Sequence, residues 1–381
     1  MVEILAHEIS GEYGKALVYS SNIDDTAFQQ IEMLCNSVLA KNSNIRIMPD
    51  YHAGAGCVIG TTMQVHDKVC PNLVGVDIGC GLYARNIGQE PIDFVKLDRF
   101  IRKKIPSGFH IHKEPLTGVR GSMGDASAPL LSKLTMPLSE EDKDRAYRSI
   151  GTLGGGNHFI EVGIDSKGDH WVVVHSGSRN LGLKVAKYHQ EIAITKDHDG
   201  PKDLQYLEGI ELNNYLNDMR IMTEYAKINR QWMIHEIVCA IGNGQTFDGI
   251  ETVHNTIDDS RMLRKGAVSA QLDEYFLVPL NMADGILLCK GRGNEEWNYS
   301  APHGAGRLYS RSKAKKELSM DDFKERMDGI YSTSIQESTL DEAPMAYKNG
   351  NEIREAIGET AEIVDHFKTL YNFKSCDSRK R

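Results

Sequence analysis

Five short segments of this chain set a potential metal-binding side chain among Gly, Ser or Asn. They are Val76-Asp77-Ile78-Gly79-Cys80-Gly81, Gly154-Gly155-Gly156-Asn157-His158, His175-Ser176-Gly177-Ser178-Arg179, His254-Asn255 and His303-Gly304-Ala305-Gly306-Arg307. None lies on an apolar helical stripe, so each reads as a loop end. The segments run from residue 77 to residue 303 without a low-complexity linker between them. If they share one site, the chain folds as one intertwined catalytic domain over residues 1–381 rather than as independent halves.

Composition narrows the class. The 381 residues are 40% hydrophobic and 25% charged, enough apolar content for a sizeable core and too much for a disordered chain. No apolar run is long enough for a membrane span, and Met1–Glu8 lacks the pattern of a leader peptide, so a cytoplasmic protein is expected. Seven cysteines without a CxxC pair argue against both a disulfide framework and a Cys-rich zinc site. A net charge of -9 gives no global pull on nucleic acid, so a phosphate-bearing partner needs local basic patches. The stretch Lys374–Arg381 is one, with 375–381 expected to be a flexible basic tail.

Periodicity supplies the expected elements. A strand at Ala16–Tyr19 and a helix from Asp24 to Ala40 open the chain; buried strands follow at 45–48, 57–60 and 73–76. Residues 114–144 read as a long loop with a helix starting at Ser139. Strands at 159–162 and 171–174 each touch a His, and one or two amphipathic helices cover 203–241. A strand pair near 275–278 and 286–288, a basic helix after His303 and a final helix from Glu352 to Tyr371 complete the list. Strands and helices without regular βαβ alternation indicate an α+β fold.

A carboxylate and a thiolate three residues apart, with Gly79 and Gly81 allowing a sharp turn, can face one ion, and a thiolate can bridge two. A turn-capping Asp beside a buried Cys explains that segment alone equally well. His158, His175 and His254 shift the balance, each beside a hydrogen-bonding neighbour able to orient it. A mixed Asp, Cys and His set suits Mn, Zn, Fe or Co better than Mg or Ca. His303 is sterically bare, and Arg307, Arg311 and Lys315 follow at intervals of four, on one face if the chain is helical there. A solvated basic face is the ordinary meaning of such a stripe. Beside an accessible imidazole it is also what nucleophilic attack on a phosphoryl group requires.

These segments, together with Met48-Pro49-Asp50-Tyr51-His52-Ala53-Gly54-Ala55-Gly56, resemble in order and wording the signatures of the RtcB RNA ligase family over residues 45–374. The resemblance implies a compact α+β fold of mixed sheets flanked by helices. It implies an RNA ligase, dependent on GTP and two Mn2+ ions, that joins a 2′,3′-cyclic phosphate or 3′-phosphate end to a 5′-hydroxyl end in RNA repair or splicing. His303 would carry a covalent GMP. Asp77, Cys80, His158, His175 and His254 match the family's metal ligands, with Cys80 as the bridging thiolate. Asn157, Glu161, Asn281, Ala305, Gly306, Tyr347 and Lys374 match nucleotide contacts, and Arg179, Arg307 and Arg311 match phosphate or RNA contacts. An activating partner protein stays open. The chain departs from the pattern at Leu280-Asn281-Met282-Ala283, where the family carries Gly-Ser-Met-Gly. That departure keeps a second reading alive, a metal-dependent RNA end-processing phosphodiesterase that does not ligate.

Overall fold

The computed structural model describes residues 6–20, 23–116, 128–242 and 249–376. Residues 377–381, most of the expected basic tail, and 117–127, the middle of the expected long loop, lie outside the described residues, as do residues 1–5. The fold is α+β and rests on two sheets. The six-stranded sheet runs in the order Ala6–Ser10, Lys15–Tyr19, Ile45–His52, Ile59–Gln64, Met262–Lys265 and Asn255–Ile257; only its second and third strands pair in parallel. The seven-stranded sheet is antiparallel throughout, in the order Gly249–Val253, Gly81–Gly88, His170–Ser176, Phe159–Ile164, Ala361–Phe373, Gly285–Gly291 and Tyr275–Asn281.

The chain passes from one sheet to the other at a single residue. Val253 pairs with Gly81 in the larger sheet, Asn255 pairs with Lys265 in the smaller one, and His254 stands between them. The helix Gly209–Ile241 spans both halves. Its Tyr215, Met219, Met222 and Tyr225 enter the core beneath the smaller sheet, while Met233, Ile234 and Ile237 pack under the larger one. Apolar side chains at spacings of three and four keep it helical for 33 residues, about 50 Å at 1.5 Å per residue. Gly242, with φ 80°, ends it in the left-handed conformation that favours glycine.

Several expected elements take other forms. The first helix stops at Cys35, because the loop Gly11–Gly14 packs on its end: the Tyr13 and Gly14 N–H groups both donate to the Cys35 carbonyl at 3.1 Å. Residues 73–76 form no strand. Pro71 starts a 3-10 turn there, the Val74 N–H bonding back to the Pro71 carbonyl at 3.1 Å, and Val76 faces solvent. The largest correction concerns the C-terminal region. Only Gly350–Ala356 is α-helical, and Ala361–Phe373 is the longest strand, pairing with Gly285–Gly291 through its first half and with Phe159–Ile164 through its second. Its Ile363, Val364, Phe367, Thr369, Tyr371 and Phe373 are the β-branched and aromatic types that fit a pleated, half-buried surface. Among the described residues, no helix is long and apolar enough to cross a membrane.

Candidate active site

Antiparallel pairing puts the start of one strand beside the end of the next. Cys80 precedes Gly81–Gly88, His158 precedes Phe159–Ile164, His175 is the penultimate residue of His170–Ser176, and His254 follows Gly249–Val253. Because Gly81 pairs with both Ser176 and Val253, and Phe159 pairs with His175, the four side chains meet at one end of four adjacent strands. Asp77 joins them from the turn before Cys80, its carboxylate lying so close to Gly177 that a Cβ at that position would collide with it.

The donor atoms converge tightly. Cys80 Sγ lies 3.5 Å from His158 Nε2 and 3.3 Å from His175 Nε2. His158 Nε2 is 3.1 Å from Asp77 Oδ2, and His175 Nε2 is 3.2 Å from His254 Nε2. The atoms fall into two groups, Asp77–Cys80–His158 and Cys80–His175–His254, with the sulfur common to both. Backbone carbonyls orient two of the rings from behind, as Leu153 faces His158 Nδ1 at 2.9 Å and Asn157 faces His175 Nδ1 at 3.3 Å. Each Nδ1–H donates to its carbonyl, which leaves the His175 Nε2 lone pair aimed into the cluster, while His158 Nε2 shares a proton with Asp77 that a bound cation would displace.

Electrostatics agree with a cation-binding geometry. Burial, and then the neighbouring imidazoles, push His175 and His254 well below the usual histidine range, so both rings are neutral. Burial raises the Asp77 carboxyl, yet the hydrogen bond and charge of His158 outweigh it and hold the group at about 2. Burial and the Asp77 carboxylate push the Cys80 thiol well up. Two imidazole lone pairs and a carboxylate crowded on one sulfur repel one another, and a bound cation removes that repulsion while drawing off the thiol proton. The donor set therefore fits one or two borderline cations of the Mn, Zn, Fe or Co kind.

His303 stacks on this cluster, its ring centroid 4.9 Å from that of His254 with planes 17° apart. The loop after the short strand Ser300–Pro302 carries it. Its Nδ1 lies 2.6 Å from Asp50 Oδ2, a charge contact out of line for a hydrogen bond, and the same oxygen accepts its backbone N–H at 3.1 Å. Asp50 is fully buried. The next turn is fitted to it, since Gly306 has φ 73° and a Cβ there would lie 2.6 Å from the Asp50 carbonyl oxygen. His303, Ala305 and Gly306 line a cavity of about 1320 Å3 with Asp77, Cys80, His175 and His254.

The remaining expected residues divide. Asn157, Glu161, Asn281, Tyr347 and Lys374 also line this cavity. Burial pushes the Glu161 carboxyl up to about 8, although Asn372 and Thr369 hydrogen-bond to it. Lys374 Nζ reaches the Asn157 carbonyl at 3.2 Å and Glu342 Oε2 at 3.3 Å. The Asn281 side chain closes its own hairpin turn, accepting from the Ala283 and Asp284 N–H groups and donating to the Asp284 carboxylate at 2.7 Å. His158 sits behind the cavity wall, and Arg179 does too, its guanidinium tucked against Gly154 and donating to Thr152 Oγ1 at 3.2 Å.

The expected basic stripe is broken. The helix starts only at Arg311, and Arg307 lies before it in an extended bridge to Tyr347. Arg307 is engaged by the Tyr309 and Asp341 carbonyls at 3.0 and 2.6 Å and by Glu342 at 3.2 Å. Arg311 touches Glu342 at 3.3 Å but stays half exposed at the cavity rim. The sequence reading did not single out Glu342, a buried carboxylate that also accepts the Tyr347 hydroxyl at 2.5 Å, nor the role of Asp50. A carboxylate inside a strand, two residues before His52, was the available signal for Asp50.

Comparison with known proteins agrees in extent and type. Residues 35–375 match the family model described as tRNA-splicing ligase RtcB. The chain is 30% identical over 358 residues to the RNA-splicing ligase RtcB of Escherichia coli strain K12, covering 84% of this chain and 87% of that protein. It is 27% identical to the tRNA-splicing ligase RtcB of Aeropyrum pernix, with 88% and 89% covered, and 25% identical to the RNA-splicing ligase RtcB homolog 2 of Entamoeba dispar, with 81% and 76% covered.

Proposed function

We propose an activity for this chain on one premise: it belongs to the RtcB family. The activity is GTP- and manganese-dependent joining of an RNA 2′,3′-cyclic phosphate or 3′-phosphate end to a 5′-hydroxyl end. Relatives named as RNA-splicing ligases support the substrate class. The observation that carries the mechanism is His303, held on Nδ1 by a buried carboxylate at 2.6 Å and stacked on a histidine of the donor cluster.

In this reading the Asp50 carboxylate, 2.6 Å from His303 Nδ1, would accept its N–H once the ring turns into line, fixing the tautomer that leaves the Nε2 lone pair free. That nitrogen attacks the α-phosphorus of GTP, an N–P bond forms and pyrophosphate leaves with the bonding pair. A cyclic end is first opened by water, which attacks its phosphorus as the bond to the 2′-oxygen breaks; an oxygen of the resulting 3′-phosphate then takes the guanylate from His303, and the 5′-hydroxyl oxygen attacks that 3′-phosphorus, losing its proton to solvent and expelling GMP. Asp77, Cys80, His158, His175 and His254 would hold two Mn2+ ions, with the Cys80 sulfur common to both donor groups. Such ions offset the charge that builds on phosphate oxygens. Lys374, Glu161, Asn157 and Tyr347 are set around the same cavity to receive the nucleotide, and Arg311 at its rim to meet phosphate.

Incubation with labelled GTP and Mn2+ tests the proposal. An acid-labile guanylate adduct is expected on the parent chain and none on His303→Ala; a parent without adduct, or an undiminished adduct in the variant, overturns it. One observation favours the non-ligating phosphodiesterase instead, namely the Asn281 side chain spent within its own turn. Cleavage of a cyclic phosphate end without GTP and without joining decides for that reading.

A further inference from the structure

Halfway along the helix Gly209–Ile241, two adjacent polar residues, Asn229 and Arg230, point into the core and are fully buried. An arginine of this kind is costly to bury unless every donor has a partner. Here the partners are two backbone carbonyls that flank the donor residues and one carboxylate. Arg230 Nη1 donates to the Gly79 carbonyl at 2.8 Å and to the Ser176 carbonyl at 2.6 Å, one residue before Cys80 and one after His175. Its Nε donates to Glu251 at 2.8 Å, on the strand that His254 follows. Asn229 holds the remaining segment. Its Oδ1 accepts the Thr152 N–H at 3.1 Å and its Nδ2 donates to the Thr152 carbonyl and to Ser176 Oγ, both at 3.1 Å. Leu153, next to Thr152, supplies the carbonyl that orients His158.

On one side the Gly79 N–H donates to the Asn255 carbonyl at 2.8 Å and the Cys80 carbonyl accepts the His254 N–H at 2.9 Å, but the ladder between Gly81–Gly88 and His170–Ser176 ends at the pair Gly81–Ser176, so no ladder bond ties Gly79 to the strand that carries His175. The guanidinium bridges that gap. A planar fork with donors in fixed directions can join two carbonyls and a carboxylate at once, whereas an ammonium is a single point. We infer that Asn229 and Arg230 are positioning residues that set the spacing of Cys80, His158, His175 and His254 from one helical turn beneath them. The inference rests on reading that cluster as a metal centre and adds the device that holds it in register.

Titration of the metal-free full chain with Co2+ tests it through affinity and through the thiolate-to-cobalt absorption. Arg230→Lys keeps the charge and loses the fork; at least tenfold weaker Co2+ binding and an altered absorption band are expected in a protein that still melts cooperatively. Glu251→Gln, which loosens the guanidinium without removing it, is measured alongside in case the lysine variant does not fold, and a threefold or greater weakening is expected. Parent-like affinity and spectrum in a cooperatively folded variant overturn the inference, because a merely structural arginine would lower the melting temperature and leave the metal site untouched. A parent chain that binds no Co2+ sinks the metal-centre reading itself, and this inference with it.

Discussion

Replacing Asp50 by Asn tests the proposed role of His303 as nucleophile. The carboxylate oxygen sits 2.6 Å from His303 Nδ1 and 3.1 Å from the His303 backbone N–H, in a fully buried position. A hydrogen bond to a charged group contributes about 1.5–3 kcal/mol, against about 1 kcal/mol for a neutral one. If the amide oxygen of Asn faces the ring, the difference of up to about 2 kcal/mol slows attack about 30-fold at most. If the amide N–H faces it, Nδ1 becomes the acceptor, the ring proton moves to Nε2 and the attacking lone pair is gone. Loss of the orienting carboxylate in a serine protease costs about 10⁴ in rate by this route. We expect adduct formation with GTP and Mn2+ in single turnover to slow by roughly 10 to 10⁴-fold on this basis. Asp50 belongs to neither donor group, so bound metal, measured on the same sample, stays at the parent level. A rate within threefold of the parent with full metal content refutes the tautomer argument.

Three further substitutions probe the cavity wall. Burial raises the Glu161 carboxyl from an ordinary 4.5 to about 8, so the folded chain keeps a proton the unfolded chain has released, and stability falls as pH rises through that window. Glu161→Gln removes this cost, no more than about 5 kcal/mol. The variant should melt above the parent near pH 9, with the gap shrinking towards pH 5; an equal gap at both ends rejects the account. Arg307 and Arg311 should separate. Arg307→Ala takes the donor from the Asp341 carbonyl and one of several donors from buried Glu342, which keeps the Tyr347 hydroxyl, Lys374 and Arg311, and should cost about 1–3 kcal/mol in denaturant unfolding. Arg311→Ala, half exposed, should cost under about 1 kcal/mol but raise KM for GTP about tenfold; the reverse pattern contradicts the assignment.

The elements read well from sequence were those whose pattern depends on immediate neighbours. Tyr215, Met219, Met222 and Tyr225 repeat at helical spacing, and Gly209–Ile241 is a helix. Val172, Val173 and Val174 form a continuous apolar run and are buried on both faces of a strand. Ala361–Phe373 was misread because its neighbours decide it. Ile353 and Ile357 just before it do continue a helical spacing, but the groups that take its backbone hydrogen bonds lie in strands 70 and 200 residues earlier. Nothing local records that two strands need a third between them.

The candidate site shows the same division more sharply. Residue types betrayed Asp77, Cys80, His158, His175 and His254, because a donor between glycines has no packing role to explain it. Their meeting point could not be read, since it follows from antiparallel order: His254 reaches Cys80 only because Gly249–Val253 runs against Gly81–Gly88, and His175 does so on the other side of that same strand. Asp50, Asn229 and Arg230 stayed hidden for a different reason. Each looks ordinary along the chain and matters only through a partner far away, His303 for Asp50, Thr152 for Asn229, Gly79 and Ser176 for Arg230. Side chains that bring chemistry announce themselves by being misfits in their local sequence. The groups that aim them are satisfied, buried and inconspicuous, because a buried polar atom is stable only when its partner is already in place.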